Sequence, residues 1–323
     1  MKKIIFIISI LLLGAAGITG LCFGTEFISP LIIIEDLVGG SRSLKFEIVY
    51  EIRLPRVMAA AFVGAALSVS GAVFQSLFRN PLADPFITGV SGGASLGISL
   101  AVIFTLGPIL TIISSFTGSI IAIVILYIMS FGRGFGGGIF ILAGVAMSFI
   151  FSSSVMLLFS VAESQSVHKA LIWMMGDLSS SGIVDRWIIF FIIFIIIMLI
   201  WIYHRHINII SLGRSFSHSS GLTDTELRII LILASILAAL TVILGGIIPF
   251  VGLMIPHIVR FFTGHDNETL IPLSAVTGAA FLILCDTISR SLIFPYEIPI
   301  GVITGFFGGM FFLFFVFRSR EVY

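Results

Sequence analysis

The chain reads as an all-α protein that crosses a membrane many times. Three observations predict this. Of its 323 residues, 58% are hydrophobic and only 10% are charged, against about 25% charged in an ordinary soluble domain. The mean hydropathy is +1.21. The apolar residues also gather in runs of about 20, the length that crosses about 30 Å of hydrocarbon at about 1.5 Å per helical residue. A soluble enzyme and a secreted disulfide scaffold are excluded. Seventeen Lys and Arg against sixteen Asp and Glu leave no basic face for nucleic acid.

The first run, Ile4 to Gly24, follows Lys2 and Lys3. It is long for a signal-peptide core, so it reads as a retained span. Residues 25–56 form a long polar loop. Val57 to Phe78 is the second span, crowded with Ala, Gly and Ser. Small residues let backbones approach, so this helix is expected to be surrounded by protein rather than lipid. Arg79-Asn80-Pro81 ends it. Gly107-Pro108 divides the run from Phe86 to Phe131 into a third and a fourth span, since glycine closes helices and proline opens them.

Arg133 lies in a glycine-rich loop from Gly132 to Gly138, and Ile139 to Val161 is the fifth span. Residues 162–185 are polar around an apolar patch, Ala170 to Met175, too short to cross. It is expected to lie at the interface, anchored by Trp173. Trp187 to Tyr203 is the sixth span and residues 204–227 a second long polar loop. Gly245, Gly246, Pro249 and Gly252 interrupt the run from Ile229 to Phe262, giving a seventh and a short eighth span, or a re-entrant segment. Leu270 to Ser289 and Ile298 to Phe317 complete ten. An even count puts both termini on one side. With the termini in the cytoplasm, ten of the seventeen Lys and Arg face inward, as the positive-inside rule favours. One transmembrane domain, 1–323, is expected.

Few residues could carry chemistry. Arg53 and Arg56 stand at the mouth of the second span. They suit either docking of carboxylates or snorkelling at the head groups. Asp286 and Arg290 are four apart on the ninth span, placed for a mutual ion pair or for an Arg290 that projects outward. His257 suits a buried, satisfied histidine better than a metal site. His204, His206 and His218 read as a solvated basic face. Gln75 reads as a helix–helix hydrogen bond. Cys22 and Cys285 form no CxxC or zinc pattern and read as small core residues. Gly89 to Gly93 has no lysine near it and reads as close packing rather than a phosphate loop. No HExxH and no GxxxxGK[ST] occur, so neither zinc-hydrolase chemistry nor an ATP site is expected in this chain.

Five segments together resemble the FecCD-type permeases of iron-chelate, haem and cobalamin ABC importers. They are residues 53–97, which open RLPRVMAAAFVGAA, then 142–148, 173–181, 245–266 (GGIIPFVGLMIPHIVRFFTGHD) and 285–309. The resemblance implies the type II importer permease fold, with ten transmembrane helices and both termini cytoplasmic. It implies a transport subunit rather than an enzyme, placed in the inner membrane of a prokaryote. Implied partners are a second copy of the chain, two ATP-binding cassette subunits that hold the ATP and Mg²⁺, an extracytoplasmic binding protein, an iron-chelate substrate and the lipid bilayer.

Carried onto this sequence, the resemblance makes Arg53, Arg56 and Arg290 the outer arginines that meet the binding protein. It places Asn80 and Leu82 near a cytoplasmic gate, and Gly137 and Gly138 in a second gate loop. The loop 204–227 matches the segment whose short helices enter the ATPase. Its core here is Gly213, Arg214, Ser215, Phe216, Ser217, His218, Ser219, Ser220 and Gly221, which keeps the family's outer glycines and lacks its acidic and alanine residues. The competing reading is an ion-coupled secondary transporter using Asp286, Arg290 and His257 as a proton relay. An intramembrane enzyme would need a nucleophile–base pair at a shared depth, and the sequence offers none.

Overall fold

The computed structural model describes residues 2–24, 26–39, 43–130, 137–179, 186–293 and 296–319. Among these the only β feature is a single bridge between Ile293 and Tyr296. The chain opens with α1 (Lys2–Cys22), α2 (Pro30–Gly39) and α3 (Leu44–Glu47). A π-helical turn, Ile48–Arg53, then leads into α4 (Leu54–Phe78). Pro55 sits in the first turn of α4, where its missing N–H is tolerated.

A 3₁₀ turn, Pro85–Thr88, precedes α5 (Val90–Ile103), α6 (Pro108–Ser130), α7 (Gly137–Val161) and α8 (Ser164–Met174). Next come α9 (Arg186–Ile202) and two short helices, α10 (His204–Ser211) and α11 (Arg214–Ser219). The chain finishes with α12 (Asp224–Gly245), α13 (Val251–Thr263), α14 (Asn267–Ser291) and α15 (Ile300–Ser319).

Each predicted apolar run is a helix. By length and composition α1, α6, α12, α14, the α3–α4 rod and α7 over Phe140–Val161 can each cross a membrane. The pair α9–α10, bent by 55°, makes a further candidate, while α5, α13 and α15 are shorter. The thirteen residues of α13 span about 20 Å, short of the roughly 30 Å of hydrocarbon. The break before α13 lies at Gly246 (φ +69°) and Phe250 (φ +69°). Left-handed backbone costs little at glycine but is strained at phenylalanine. Packing holds it there: the Phe250 ring fills the space where Gly308 of α15 lacks a side chain.

Helix ends follow their local chemistry. Gly107 (φ +54°) closes the segment before Pro108 opens α6. Thr223 and Glu226 form a reciprocal capping box on α12. Asp266 caps α14, its carboxylate accepting from the Glu268 N–H at 3.1 Å. Asp84 caps the 3₁₀ turn, accepting from Phe86 N at 2.7 Å.

The Asp84 carboxyl has a testable consequence. Burial pushes it up to about 6, against about 3.9 in an unfolded chain. A carboxyl raised in the fold stabilises fully below the unfolded value, and that contribution is lost as pH rises through about 6. Asp84→Asn should therefore raise the thermal midpoint more at pH 8 than at pH 4.5. Unfolding followed in detergent at both pH values checks this.

α4 is the hub. It packs on α14, α12, α13 and α9, and touches α1 and α10. Most of its residues from Val57 on are buried, as its small residues predicted. Backbones meet at Gly64 against Gly278 of α14 and at Gly71 against Gly252 of α13, where any side-chain carbon would collide. A second set, α5 on α6, closes on Gly93 against Gly118 and Gly97 against Ser114. Most of the remaining apolar surface, on α1, α7, α9 and α15, points outward, as lipid-facing helices require.

Candidate functional site: the two ends of the helical core

The start of α4 meets the end of α14 at Arg56 and Asp286, and the end of α4 meets the start of α14 at Ser76 and Asn267. The two therefore run antiparallel, with α1 alongside α14. This aligns two polar ends, one holding Arg53, Arg56 and Arg290, the other Lys2, Arg79 and Asp266. At the first end, Asp286 is fully buried between two guanidiniums. Arg56 Nε lies 2.8 Å from its Oδ1 and Arg290 Nε 3.2 Å from its Oδ2. Arg56 Nη1 also reaches Glu297 Oε2 at 2.9 Å. The remaining four contacts are to backbone carbonyls. Arg53 donates from Nη1 to the carbonyls of Leu21 at 2.8 Å and Cys22 at 2.7 Å, and from Nη2 to Glu26 O at 2.6 Å. Arg290 Nη2 donates to Gly20 O at 2.5 Å.

All of these acceptors except Glu26 O are the last carbonyls of α1. A helix leaves such carbonyls unpaired and carries partial negative charge at that end, so cations settle there. Three positive charges thus face two carboxylates and one helix terminus.

This corrects one expectation. Arg290 does not project outward, and Arg53 and Arg56 do not stand free. They are 4%, 7% and 6% exposed for Arg53, Arg56 and Arg290. The ion pair of Asp286 with Arg290 is present, but it is one edge of a larger knot. Sequence reasoning missed Glu297. Its sign was an acid in the apolar-flanked stretch 292–300, which can only sit there comfortably beside a cation. Beside the knot, Arg56 and Glu297 line a cavity of about 210 Å³ with Asp177, Ser179 and Ser289.

The segment after α8 closes this end. Asp177 N donates to Gly245 O at 3.1 Å, and Gly301 N to Met175 O at 3.0 Å. Within the predicted interfacial patch, Ala170 is buried while Leu171 and Ile172 are exposed.

At the opposite end α4 stops in a left-handed residue, Arg79 (φ +50°), and Asn80 N bonds back to Gln75 O at 3.2 Å. Asn80 Oδ1 accepts from Leu82 N at 3.0 Å, and the Leu82 side chain is exposed. Gly137 and Gly138 begin α7, and residues 131–136 of the second predicted gate loop, Arg133 included, lie outside the described residues.

Residues 204–219 form α10 and α11, joined at Gly213 (φ +123°) and followed by Gly221 (φ +81°). Phe216 is exposed and Ser217 buried. The side chains of Arg214, Ser215 and His218 lie outside the described atoms. A cavity of about 650 Å³ separates the α4 end from α10 and α13. Its basic side chains are Arg79, His257, Arg260 and His265, with no carboxylate in its lining among the described residues. Gln75 makes the interhelical bond its isolation predicted, donating to Leu253 O at 2.9 Å. His257 meets the rings of Phe311, Phe312 and Phe315, as a packed histidine rather than a relay partner of Asp286.

The fold and its two polar ends define a polytopic helical membrane protein of the permease type. A model of the FecCD transport family matches residues 10–318. The chain belongs to that family. It is 34% identical to the hemin transport system permease protein of Yersinia pestis, over 84% of this chain and 83% of that protein. It is 37% identical to the cobalamin import system permease protein of Halobacterium salinarum, over 85% and 74%. Among solved structures it is similar to an inward-facing metal-chelate type ABC transporter, with a TM-score of 0.85 and 27% identity, covering 98% of this chain and 100% of that one.

Proposed function

We propose that the chain is the permease subunit of an ATP-driven importer for a metal chelate, a ferric siderophore before haem or cobalamin. Family membership over nearly the whole chain is the observation that carries this. The ten apolar helices are read as ten crossings of a prokaryotic inner membrane, with the Lys2 end cytoplasmic. Two copies form the pathway, and a binding protein delivers the chelate outside. Two ATPase subunits hold the ATP and Mg²⁺, this chain supplying no cofactor. α10 and α11, with Gly213, Arg214, Ser215, Phe216, Ser217, His218 and Gly221, seat the ATPase. Asn80, Leu82, Gly137 and Gly138 border the inner gate.

The binding protein docks on the outer end that Arg53, Arg56 and Arg290 hold in shape. With these guanidiniums buried, their contribution to docking runs through the surface they position. The knot also argues against ion coupling. Asp286 is held by two guanidiniums, and desolvated ion pairs resist the proton cycling that a relay requires.

Purification from the native host should yield two copies with two nucleotide-binding subunits by native mass spectrometry, and uptake in vesicles should need ATP. Uptake by the chain alone without ATP would overturn the proposal.

A further inference from the structure

One polar chain crosses the inner end and joins α10, α14, α4 and α13. Asn208, in the middle of α10, is its first member. Its Nδ2 donates to Asp266 Oδ1 at 3.0 Å. Its Oδ1 accepts from Asn267 N at 2.9 Å and from Asn267 Nδ2 at 2.7 Å. Asn267 in turn accepts at Oδ1 from Ser76 Oγ of α4 at 3.1 Å. Ser76 accepts from Arg260 Nη2 of α13 at 3.3 Å, and Arg260 Nη1 donates to Gln75 Oε1 at 2.9 Å. Asn267, Ser76 and Gln75 are all buried. Three residues beyond Ser76 the helix ends at Arg79, and the turn with Asn80 and Leu82 follows.

The geometry points to Asn208 as a positioning residue that carries displacement of α10 through the start of α14 into the gate end of α4. This rests on the reading of 204–227 as the ATPase-coupling loop. The physical reason lies in the two kinds of contact that α10 makes. Ile207 and Ile210 bury its apolar face, and apolar contact is non-directional, so a helix can slide or roll on it. Hydrogen bonds are directional and weaken steeply when bent. Three bonds from one side chain onto two consecutive residues fix α10 against the cap of α14 in both position and rotation. The next link passes directly through the side chain of Asn267 to Ser76. Lys2 Nζ joins the same cap from α1, 3.3 Å from Asp266 Oδ2.

The apolar seat remains when Asn208 is cut back, so folding and ATPase binding should survive while transmission fails. The test uses the whole transporter, with its ATPase and binding protein, in proteoliposomes. ATP hydrolysis and chelate uptake are measured together. Asn208→Ala is expected to keep hydrolysis within about two-fold and to raise the ATP spent per chelate about ten-fold. Ser76→Ala, at the middle link, should do the same, and the double variant should be no worse than either single one, since residues acting in one chain are non-additive. A merely structural bond would lower yield or both rates together and leave the ratio alone. An unchanged ratio in both single variants would overturn the proposal. If Asn208→Ala fails to assemble, Ser76→Ala decides by itself. A wild-type complex without ATP-driven uptake would instead sink the importer reading.

Discussion

Asp286→Asn is expected to cost the fold about 3–5 kcal/mol, the usual penalty for removing one partner of a buried ion pair. The substitution keeps shape and removes charge. Arg56 and Arg290 then face each other across buried ground with only Glu297, itself half exposed, to balance them. Arg290 also holds Gly20 O and Arg53 the next carbonyls, so the loss spreads to the seat of α1 on α14. Thermal unfolding in detergent should show a much lower midpoint, and proteolysis should open first in the segment after Cys22. Replacing Arg56, Asp286 and Arg290 together with Leu, Leu and Met should recover much of that stability, since a buried ionic set often exchanges for apolar side chains at little cost. A wild-type midpoint for Asp286→Asn would mean that the knot is hydrated and contributes little. The same geometry alters how charge reversal reads. Arg56→Glu puts a new acid beside Asp286 and Glu297, and Arg53→Glu removes the donors to the end of α1, so lost uptake reports the fold unless midpoint and ATPase assembly are measured beside it.

Run length and punctuation made most of the helices legible. A membrane span is a local property of about 20 residues, so each run predicted its own helix, and Gly107-Pro108 predicted the α5–α6 break. The inward turn of the arginines was not legible, because its cause is remote. Arg53 is held by carbonyls 31 and 32 residues back, and Arg56 by carboxyls 230 and 241 residues on. Residue type alone left docking and anchoring open, and the packing of α1 on α14 decided where the charges went. The Asp286–Arg290 pair was legible because four residues on a helix is a local spacing. Asn208 was hidden among histidines in a loop read as solvated, and its partners lie 58 and 59 residues on. A hint was present in Asp266-Asn267, a capping sequence next to a membrane edge, with more polar atoms than one cap requires.

Gly71→Ala should destabilise by about 1–3 kcal/mol, the ordinary range for overpacking, with Gly71→Leu well beyond it. The added carbon would land on the carbonyl of Gly252, and a backbone carbonyl cannot rotate away as a flexible side-chain tip can. α13 must therefore move as a body. Its displacement also lengthens the bond from Gln75 to Leu253 O, now 2.9 Å, one turn further along α4. A buried bond lost on one side leaves polar groups unpaired and adds to the penalty. Gly305→Ala is the internal control. It is helical, with nothing within 4 Å of the added carbon, so it should be neutral or gain up to about 1 kcal/mol from helix propensity. Thermal midpoints of the three variants in one detergent separate the effects. If Gly71→Ala matched Gly305→Ala, α13 could not be seated directly on the α4 backbone. The polar chain from Arg260 into α4 would then have no fixed footing.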